Sequence, residues 1–265
     1  MFTFIKYPRT PHLVGSRLQP GDDTVGQVDL ASLTGGEFVW EEKIDGANAA
    51  VSFSSEGRLM LQSRGHVLTG GAREGQFSLF KAWASCHEQV FLDLLGTRYV
   101  MYGEWCFAKH TVFYDRLPHY FLEFDIFDRE RQSFLATDER HALLAGSPVI
   151  SVPVVHRGRL TTEKQVRQLI RPSLYKSADW EESLRVSALE AGIDPDEAGR
   201  QTEQSSLSEG LYLKHESGGA VVGRYKYVRA DFLQAIAESG SHWAERPLLP
   251  NRLADGVDLF SGEVS

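Results

Sequence analysis

The sequence has few cysteines, no long apolar run and no excess of positive charge, and each lack excludes a class of protein. Its two cysteines, Cys86 and Cys106, are too few for a disulfide framework or a zinc site, which favours a reducing, cytoplasmic location. No apolar run is long enough to cross a membrane, and the first residues lack a signal-peptide layout. The formal net charge of -8 argues against broad adhesion to nucleic acid, so a polyanion site would need clustered cations.

The rest of the composition is that of a soluble globular protein. Hydrophobic residues make up 42% of the 265 residues and charged residues 24%. The sequence shows no internal repeat, low-complexity tract or clear linker. We therefore expect a single domain over residues 1–265, with an N-terminal arm at 1–32, a helical insertion at 157–208 and a C-terminal tail at 241–265.

Residues 43–46 form a K-x-D-G motif between two apolar runs, at 37–40 and 49–53. The Lys43 amine becomes a nucleophile when it loses its proton, which nearby cations and partial burial favour. Gly46 allows a tight turn or a close approach to a ligand. The alternative, a solvated lysine in an ordinary turn, is the commoner case, so the motif needs partners elsewhere in the chain.

The segment after this motif supplies one such partner. A hairpin signal at 54–57 predicts a return strand that ends at Arg64 and brings this arginine back towards Lys43. The alternative is a surface arginine at a strand end. Residues 75–95 carry apolar side chains at helical spacing, which predicts one amphipathic helix.

Two later strands carry acids in apolar company. Glu104 lies near the end of a strand at 98–106, where a carboxylate is either exposed at an edge or held by a partner. The strand at 119–128 alternates regularly, so Phe124 and Asp125 are expected on opposite faces. Aromatic residues on such a strand belong more often to a core than to a platform for a nucleobase.

Residues 161–208 are polar and helical in pattern, with a capping box at Thr162 and Gln165. The segment has too few apolar residues for a core of its own, which indicates an insertion. Two strands follow, the first beginning near Glu209. On the second, Arg224 and Lys226 share one face, which favours a polar face over a cleft. An exposed hairpin with mixed charges is the alternative.

The N-terminal residues 6–17 are basic and contain prolines, which exclude a regular helix or a central strand. The cations Lys6, Arg9 and Arg17 form either a solvated face or a lip that contacts phosphates. The sequence leaves both interpretations open.

Six motifs thus follow one another along the chain: K-x-D-G at 43–46, Arg64, Tyr102-Gly103-Glu104, Phe124-Asp125, Glu209-Gly210 and Arg224-x-Lys226. This ordered set resembles the covalent nucleotidyltransferase superfamily of polynucleotide ligases and mRNA capping enzymes. It is most similar to the ATP-dependent RNA ligases of the nick-sealing, RNA ligase 2-like branch, over roughly residues 33–230. The resemblance implies an α+β fold, with antiparallel sheets around an ATP cleft, peripheral helices and no OB-fold domain.

The resemblance also implies roles for individual residues. Lys43 would attack the α-phosphate of ATP and form lysyl-AMP, with Asp45, Arg64 and Lys226 as the other catalytic residues. The resemblance implies that Glu104 binds the ribose, that Phe124 stacks on the adenine, and that Arg64, Arg224 and Lys226 lie near the phosphates. The other implied nucleotide-binding residues are Glu42, Lys43, Ile44, Asn48 and Glu209. Glu209 and Asp45 would hold Mg²⁺ or Mn²⁺. Such an attack needs cations around the transferring phosphate, and these would help to deprotonate Lys43.

Two departures from the family pattern limit these expectations. Arg224 stands where the last motif usually carries lysine, and arginine keeps the charge but not the point-like geometry of an ammonium. The tail after Lys226 has room for neither an OB-fold domain nor a helical domain, which makes self-adenylylation with ATP a safer expectation than unaided strand sealing.

The expected function is an RNA ligase of RNA repair, which transfers AMP to an RNA 5′-phosphate and seals it to a 3′-hydroxyl. Two alternatives stay open. One is a related nucleotidyltransferase that acts on DNA nicks or uses GTP, and the other is a catalytically silent nucleotide- or RNA-binding subunit. The expected partner is RNA with 5′-phosphate and 3′-hydroxyl ends. Association with a membrane is not expected. A partner repair protein, such as an end-healing kinase or phosphatase, and the oligomeric state are left open.

Overall fold

The computed structural model describes residues 4–18, 26–232 and 246–261, without the side chains of residues 72 and 73. Within these residues twelve strands form one sheet. In chain order the strands are β1 (His12–Leu13), β2 (Gln27–Val28), β3 (Glu37–Lys43), β4 (Ala47–Phe53), β5 (Leu59–Ser63), β6 (Tyr99–Trp105), β7 (Phe121–Asp128), β8 (Ser133–Leu135), β9 (Ile150–Ser151), β10 (Val154–Arg157), β11 (Gly210–Ser217) and β12 (Ala220–Val228).

The sheet is mainly antiparallel. Its strands follow the order β10-β3-β11-β12-β8-β7-β6-β4-β5, and each neighbouring pair on this path is antiparallel. The short strands β1, β2 and β9 lie off this path and pair in parallel. The expected mixed fold with extensive antiparallel pairing is confirmed, although the strands form one continuous sheet and not separate ones.

The sheet has two halves, β10-β3-β11-β12 and β7-β6-β4-β5, which the three-residue strand β8 connects. β8 pairs with Ala220 and Val221 at the start of β12, and with Phe127 and Asp128 at the end of β7. Away from β8, the end of β12 and the start of β7 are not paired with each other. The twist of the strands therefore separates the halves at that end, which we call the open end of the sheet.

Consecutive strands β3 and β4 lie in different halves. β3 lies between β10 and β11, whereas β4 lies between β5 and β6. The turn from Lys43 to Ala47 therefore crosses between the halves at the open end. In the second half, Ala49 of β4 pairs with Ser63 of β5, so Arg64 also lies at this end. The predicted return of Arg64 towards the K-x-D-G motif is confirmed.

β7 departs from regular alternation next to the open end. Asp125 lies opposite Tyr102 of β6, but Glu123 lies opposite the next residue, Gly103, which leaves Phe124 as an extra residue. Such a bulge bends the strand and re-aims its side chains. The expectation that Phe124 and Asp125 lie on opposite faces is wrong, because both line the cavity described below.

The helices lie outside the sheet. They are α1 (Ser78–Cys86), α2 (Glu88–Leu95), α3 (Thr137–Leu144), α4 (Glu163–Leu169), α5 (Trp180–Glu190) and α6 (Pro195–Arg200), with 3-10 turns at Leu30–Ser32 and Ala72–Phe77. The single helix expected over 75–95 is wrong, because the chain breaks at His87 between α1 and α2. Both helices bury aromatic rings, including Phe80, Trp83 and Phe91, in the main core under β4, β6 and β7. No helix in the described ranges is long and apolar enough to span a membrane.

The polar segment expected at 157–208 contains α4, α5 and α6. The capping box that begins α4 is confirmed, with reciprocal hydrogen bonds between Thr162 and Gln165. The apolar side chains of α5 and α6, such as Trp180, form a small core that also takes Phe113 and Leu249 from other parts of the chain. This segment therefore packs onto the domain, because it shares its core with residues outside it.

Two terminal segments pack on the sheet as irregular chain. Of the arm expected at 1–32, residues 4–18 and 26–32 are described, and of the tail expected at 241–265, residues 246–261 are described. In the tail, the Asn251 side chain donates to the carbonyl of Cys106 at 2.8 Å and accepts from the amide of Tyr114 at 2.9 Å. These bonds fix the loop between β6 and β7, because both partners belong to it or border it.

Candidate active site

A cavity of about 470 Å³ lies between the two halves at the open end of the sheet. The residues that line it come from both halves, from the N-terminal arm and from the loop after β5. They include Tyr7, Pro8, Thr10, Glu41, Glu42, Lys43, Ile44, Asn48, Arg64, His66, Glu104, His110, Phe124, Asp125, Tyr212, Lys214 and Lys226. Most of the residues proposed from the six motifs therefore meet in one place.

Lys43, the last residue of β3, is paired with a carboxylate on the neighbouring strand. Its Nζ lies 2.6 Å from Oε2 of Glu209, and the two side chains are 18% and 6% exposed. The register of β3 and β11 sets this contact, because Lys43 pairs with Gly210, the residue after Glu209. Residues separated by 166 positions in the chain thus form one ion pair.

The ion pair holds Lys43 in its protonated form. Burial lowers the pKa of Lys43, but Glu209, Tyr212 and Glu104 together outweigh burial and raise this pKa above its ordinary value. The expectation that neighbouring cations favour loss of this proton is therefore wrong, because the neighbours that act on the pKa of Lys43 are acids and a tyrosine. The amine needs a change in its surroundings before it can act as a nucleophile.

Glu104, which is partly buried, and Glu209, which is buried, share one electrostatic environment with Lys43. Burial raises the pKa of Glu104 to about 8, with Lys43 and Arg64 opposing the shift and Asp45 and Glu209 adding to it. Burial likewise raises the pKa of Glu209 to about 7, with Lys43 opposing the shift. The strands β3, β5, β6 and β11 thus bring the predicted acids and cations together.

Asp45 points towards the loop after β6. Its Oδ2 accepts hydrogen bonds from the amides of Thr111 and Val112, both at 2.7 Å, and its own amide donates to the hydroxyl of Tyr114 at 2.9 Å. Asp45 is not among the residues that line the cavity. The structure therefore gives it a part in shaping the K-x-D-G turn, and its role with metal or ribose stays a prediction.

Gly46 is needed for the close approach of this turn to β6. A side chain at this position would meet the carbonyl oxygen of Trp105 at 2.8 Å and the side chain of Glu104 at 3.0 Å. Only glycine avoids this overlap, because real Cβ atoms do not approach a backbone oxygen so closely. The glycine of the motif thus lets Lys43 and Glu104 lie against one cavity.

Glu42, Ile44 and Asn48, which flank Lys43 on either side, line the cavity as well. Glu42 is 5% exposed, and burial raises its pKa. Within the described part of the chain, Oε1 of Glu42 and Oδ1 of Asn48 have no hydrogen-bond partner. A buried polar atom without a partner is costly, so such atoms are uncommon in folded proteins.

The two cations of the last motif are placed differently. Lys226 lines the cavity, whereas Arg224 is not among the lining residues. The Arg224 guanidinium lies 3.8 Å from the centre of the Phe134 ring and 3.6 Å from Oδ2 of Asp125. It therefore supports the wall of the cavity, and a contact with phosphate is not part of the geometry that the structure shows for it.

Several lining residues lie outside the set that the sequence analysis proposed. Lys214 is the clearest, because it lies two positions after Tyr212 on the face of β11 that carries the cavity. Its Nζ lies 3.0 Å from Glu41, 3.2 Å from Asp125 and within hydrogen-bonding distance of the Phe124 carbonyl. The period of two along β11 could have indicated Lys214, whereas no sequence signal indicates its buried partners.

The acids of the site supply carboxylate oxygens, which are the ligands that Mg²⁺ prefers. Within the described residues, no group of three or more His, Cys, Asp or Glu side chains could hold an ion. Mg²⁺ keeps several waters and binds through one or two carboxylates plus substrate phosphates. Glu209 and Glu104, which are coupled to each other and to Lys43, supply such carboxylates.

Comparisons with known proteins find similarity to RNA ligases in sequence and in fold. The family model for RNA ligases matches residues 36–228. Among solved structures, the fold resembles the Naegleria gruberi RNA ligase with pyrophosphate, at 19% sequence identity and a TM-score of 0.56 over 88% of this chain and 58% of that one. It also resembles a variant of that ligase with ATP and manganese, at 18% identity and a TM-score of 0.53 over 79% of this chain and 54% of that one. No curated protein matches the sequence.

Proposed function

From the premise that this chain belongs to the RNA ligase family, we propose that it is an ATP-dependent RNA ligase that first loads AMP onto Lys43. The observation that carries the proposal is the convergence of Lys43, Arg64, Glu104 and Lys226 on one cavity. A surface role for Lys43 does not account for its burial or its pairing with Glu209. Nucleotide transfer does account for them, because an amine nucleophile must be placed beside cations that accept the charge of a phosphate.

The proposed first step forms a bond between Nζ of Lys43 and the α-phosphorus of ATP. The bond from that phosphorus to the bridging oxygen breaks and pyrophosphate leaves. Nζ starts as an ammonium, so it gives up one proton before the attack and a second as the phosphoramidate forms, and both pass to solvent or to the departing pyrophosphate. Arg64, Glu104, Phe124 and Lys226 all line the cavity. In this proposal Arg64 and Lys226 bind the phosphates, Glu104 binds the ribose, and Phe124 stacks against the adenine.

A divalent metal would offset the charge of the phosphates during this transfer. In this proposal Glu209, which is paired with Lys43 but is not itself among the residues that line the cavity, would hold this metal. Its carboxylate would then no longer be free to pair with Lys43. The structures of the Naegleria ligase with ATP and manganese support the choice of ATP and a divalent ion as the probes.

In the proposed later steps, AMP passes from Lys43 to the 5′-phosphate of an RNA strand. A 3′-hydroxyl then attacks that phosphate, the strands join, and AMP leaves. The chain spans about three-fifths of the length of the Naegleria ligase. Strand joining, RNA repair as the setting, help from an end-healing partner protein and a cytoplasmic location are therefore proposals that go beyond the family assignment.

The proposal is tested by incubating the protein with labelled ATP and Mg²⁺ or Mn²⁺ and separating it on a denaturing gel. We expect label to remain on the protein and to be chased by pyrophosphate. Label from GTP in preference to ATP would instead indicate a capping-type transferase, and no label from either would indicate a silent nucleotide- or RNA-binding subunit. Nicked RNA, nicked DNA and single-stranded RNA then distinguish the acceptors.

The pKa of Lys43 gives a prediction that does not depend on turnover. Glu209 is the largest of the causes that raise this pKa, and the neutral variant Glu209→Gln removes it, while burial continues to lower the pKa against the smaller effects of Tyr212 and Glu104. The pH at which Lys43 becomes reactive towards an acylating reagent should therefore fall by roughly one pH unit or more. Quantitative mass spectrometry of the Lys43 peptide across a pH series measures this midpoint. An unchanged or raised midpoint would contradict the role given to Glu209.

A further inference from the structure

The N-terminal arm crosses the open end of the sheet and is bonded to both halves. The carbonyl of Ile5 accepts from the side chain of Gln62 on β5 at 2.8 Å and from the hydroxyl of Tyr102 on β6 at 2.7 Å. On the other half, the carbonyl of Pro11 accepts from the amide of Lys226 on β12 at 2.9 Å. Between these anchors the arm passes along the cavity, which Tyr7, Pro8 and Thr10 line.

Side chains of the arm form part of the cavity wall. Tyr7, Pro8 and Thr10 line the cavity, and Thr10 accepts a hydrogen bond from the hydroxyl of Tyr212 at 3.2 Å. The cations Lys6 and Arg9 on the same stretch are exposed. The structure therefore places the uncharged residues of the arm against the cavity and its cations towards solvent. Contact of those cations with phosphate stays a prediction.

Tyr7 makes the most extensive contacts of the arm. Its hydroxyl donates to Oδ2 of Asp125 at 2.5 Å, and its ring lies 5.1 Å from the Phe124 ring in an edge-to-face arrangement. The side chain is 4% exposed, and burial together with Asp125 raises the pKa of its phenol, so the hydroxyl stays protonated and donates. Tyr7 therefore holds the two residues at the bulge of β7.

The bulge makes this contact important for the cavity. Phe124 is an extra residue in β7, so the ladder to β6 alone does not fix its orientation. Lys214 bonds its carbonyl from one side, and Tyr7 packs on its ring from another. The ring that faces the cavity is thus oriented by groups outside its own strand.

We propose that the N-terminal arm is part of the nucleotide site and that Tyr7 is a positioning residue, which orients Phe124 and Asp125 for the base of ATP. The proposal rests on the proposed function. It goes beyond the matched family region, which begins at residue 36. Tyr7 acts here through its ring and its hydroxyl, and the two contributions are separable by substitution.

The test measures ATP affinity by calorimetry in Lys43→Met protein, where no covalent step takes place. Tyr7→Phe removes the hydrogen bond to Asp125 and should weaken ATP binding about tenfold. Tyr7→Leu also removes the edge-to-face contact and should weaken it by a further factor of roughly three to ten. In Lys43-intact protein, the same changes should raise the KM for ATP in self-adenylylation more than they lower the maximal rate.

Tyr120→Phe is the matched control. In the unchanged protein the Tyr120 hydroxyl is buried and donates to the carbonyl of Asn251 at 2.9 Å, and Tyr120 does not line the cavity. This variant should lose stability to a similar extent as Tyr7→Phe while ATP binding stays unchanged. A structural role alone would lower the melting temperature of Tyr7→Phe without changing its ATP affinity, and that result would overturn the proposal.

The outcomes separate the two proposals. If ATP binds but Lys43-intact protein is never labelled, the proposed ligase activity fails, and the arm is still judged by the change in affinity. If Tyr7→Phe binds ATP as tightly as the parent, the arm proposal fails while the ligase proposal stands. If the parent does not bind ATP at all, both fail.

Discussion

Lys43→Arg is expected to abolish covalent loading of the protein by ATP, with a loss of at least about 10³-fold in the rate of labelling. Arginine keeps the positive charge opposite Glu209, so the ion pair that the structure shows at 2.6 Å can be retained. The guanidinium does not lose its proton at accessible pH, and it is therefore not a nucleophile. The substitution thus removes the chemistry while it keeps the electrostatic balance of the cavity.

The measurement is the denaturing gel with labelled ATP, compared with ATP affinity from calorimetry. Lys43→Arg should bind ATP to within a few-fold of the parent, because the charge beside the phosphates is kept. Retention of covalent label in this variant would show that another residue carries the nucleotide. Lys81→Arg is a suitable control, since Lys81 on α1 is paired with Glu74 and neither residue lines the cavity.

Arg140→Met is expected to destabilise the protein by about 3–5 kcal/mol at neutral pH. Arg140, on α3, is fully buried and bridges two buried acids, with a short hydrogen bond of 2.5 Å to Glu41 and bonds of 3.0 and 3.1 Å to Glu123. Methionine fills a similar volume but leaves both acids without this counter-charge. Because Glu41 also forms an ion pair with Lys214, the substitution should also disturb the wall of the cavity.

The loss of stability should grow as the pH rises. Burial raises the pKa of Glu123, and Arg140 opposes that shift, so removing Arg140 raises this pKa further. A carboxyl whose pKa is raised in the folded protein stabilises the fold below its unfolded pKa and loses that contribution as the pH rises through the folded value. The deficit of Arg140→Met should therefore be smaller at pH 5 than at pH 8.

Urea unfolding at several pH values measures this deficit, with Arg157→Met as the control. Arg157 pairs with Asp138 at 2.6 Å near the same helix, but the two side chains are 43% and 79% exposed. Removing that pair should cost less than about 0.5 kcal/mol. A deficit for Arg140→Met as small as the control, or one that shrinks with rising pH, would show that the buried acids do not depend on Arg140.

The sequence predicted the elements of the site better than their geometry. The K-x-D-G motif, the hairpin that returns Arg64 and the polar face that carries Lys226 all follow from periods of two and from turn residues. Such signals are local, and the structure confirms the placement of these residues at one cavity. The helix expected over 75–95 and the regular alternation of β7 were wrong, because packing against the core breaks the first at His87 and a bulge interrupts the second.

The sequence by itself determined which side chains are available for the chemistry: a lysine in a glycine turn, with cations and acids that follow it in a fixed order. Tertiary structure alone decided how they act. The register of β3 against β11 sets Glu209 beside Lys43 and keeps the amine protonated, and the bulge in β7 brings Phe124 and Asp125 to the same cavity. The crossing of the arm sets Tyr7 against both. The physical reason is that pKa values and ring orientations depend on burial and on partners more than a hundred residues away, which no local pattern records.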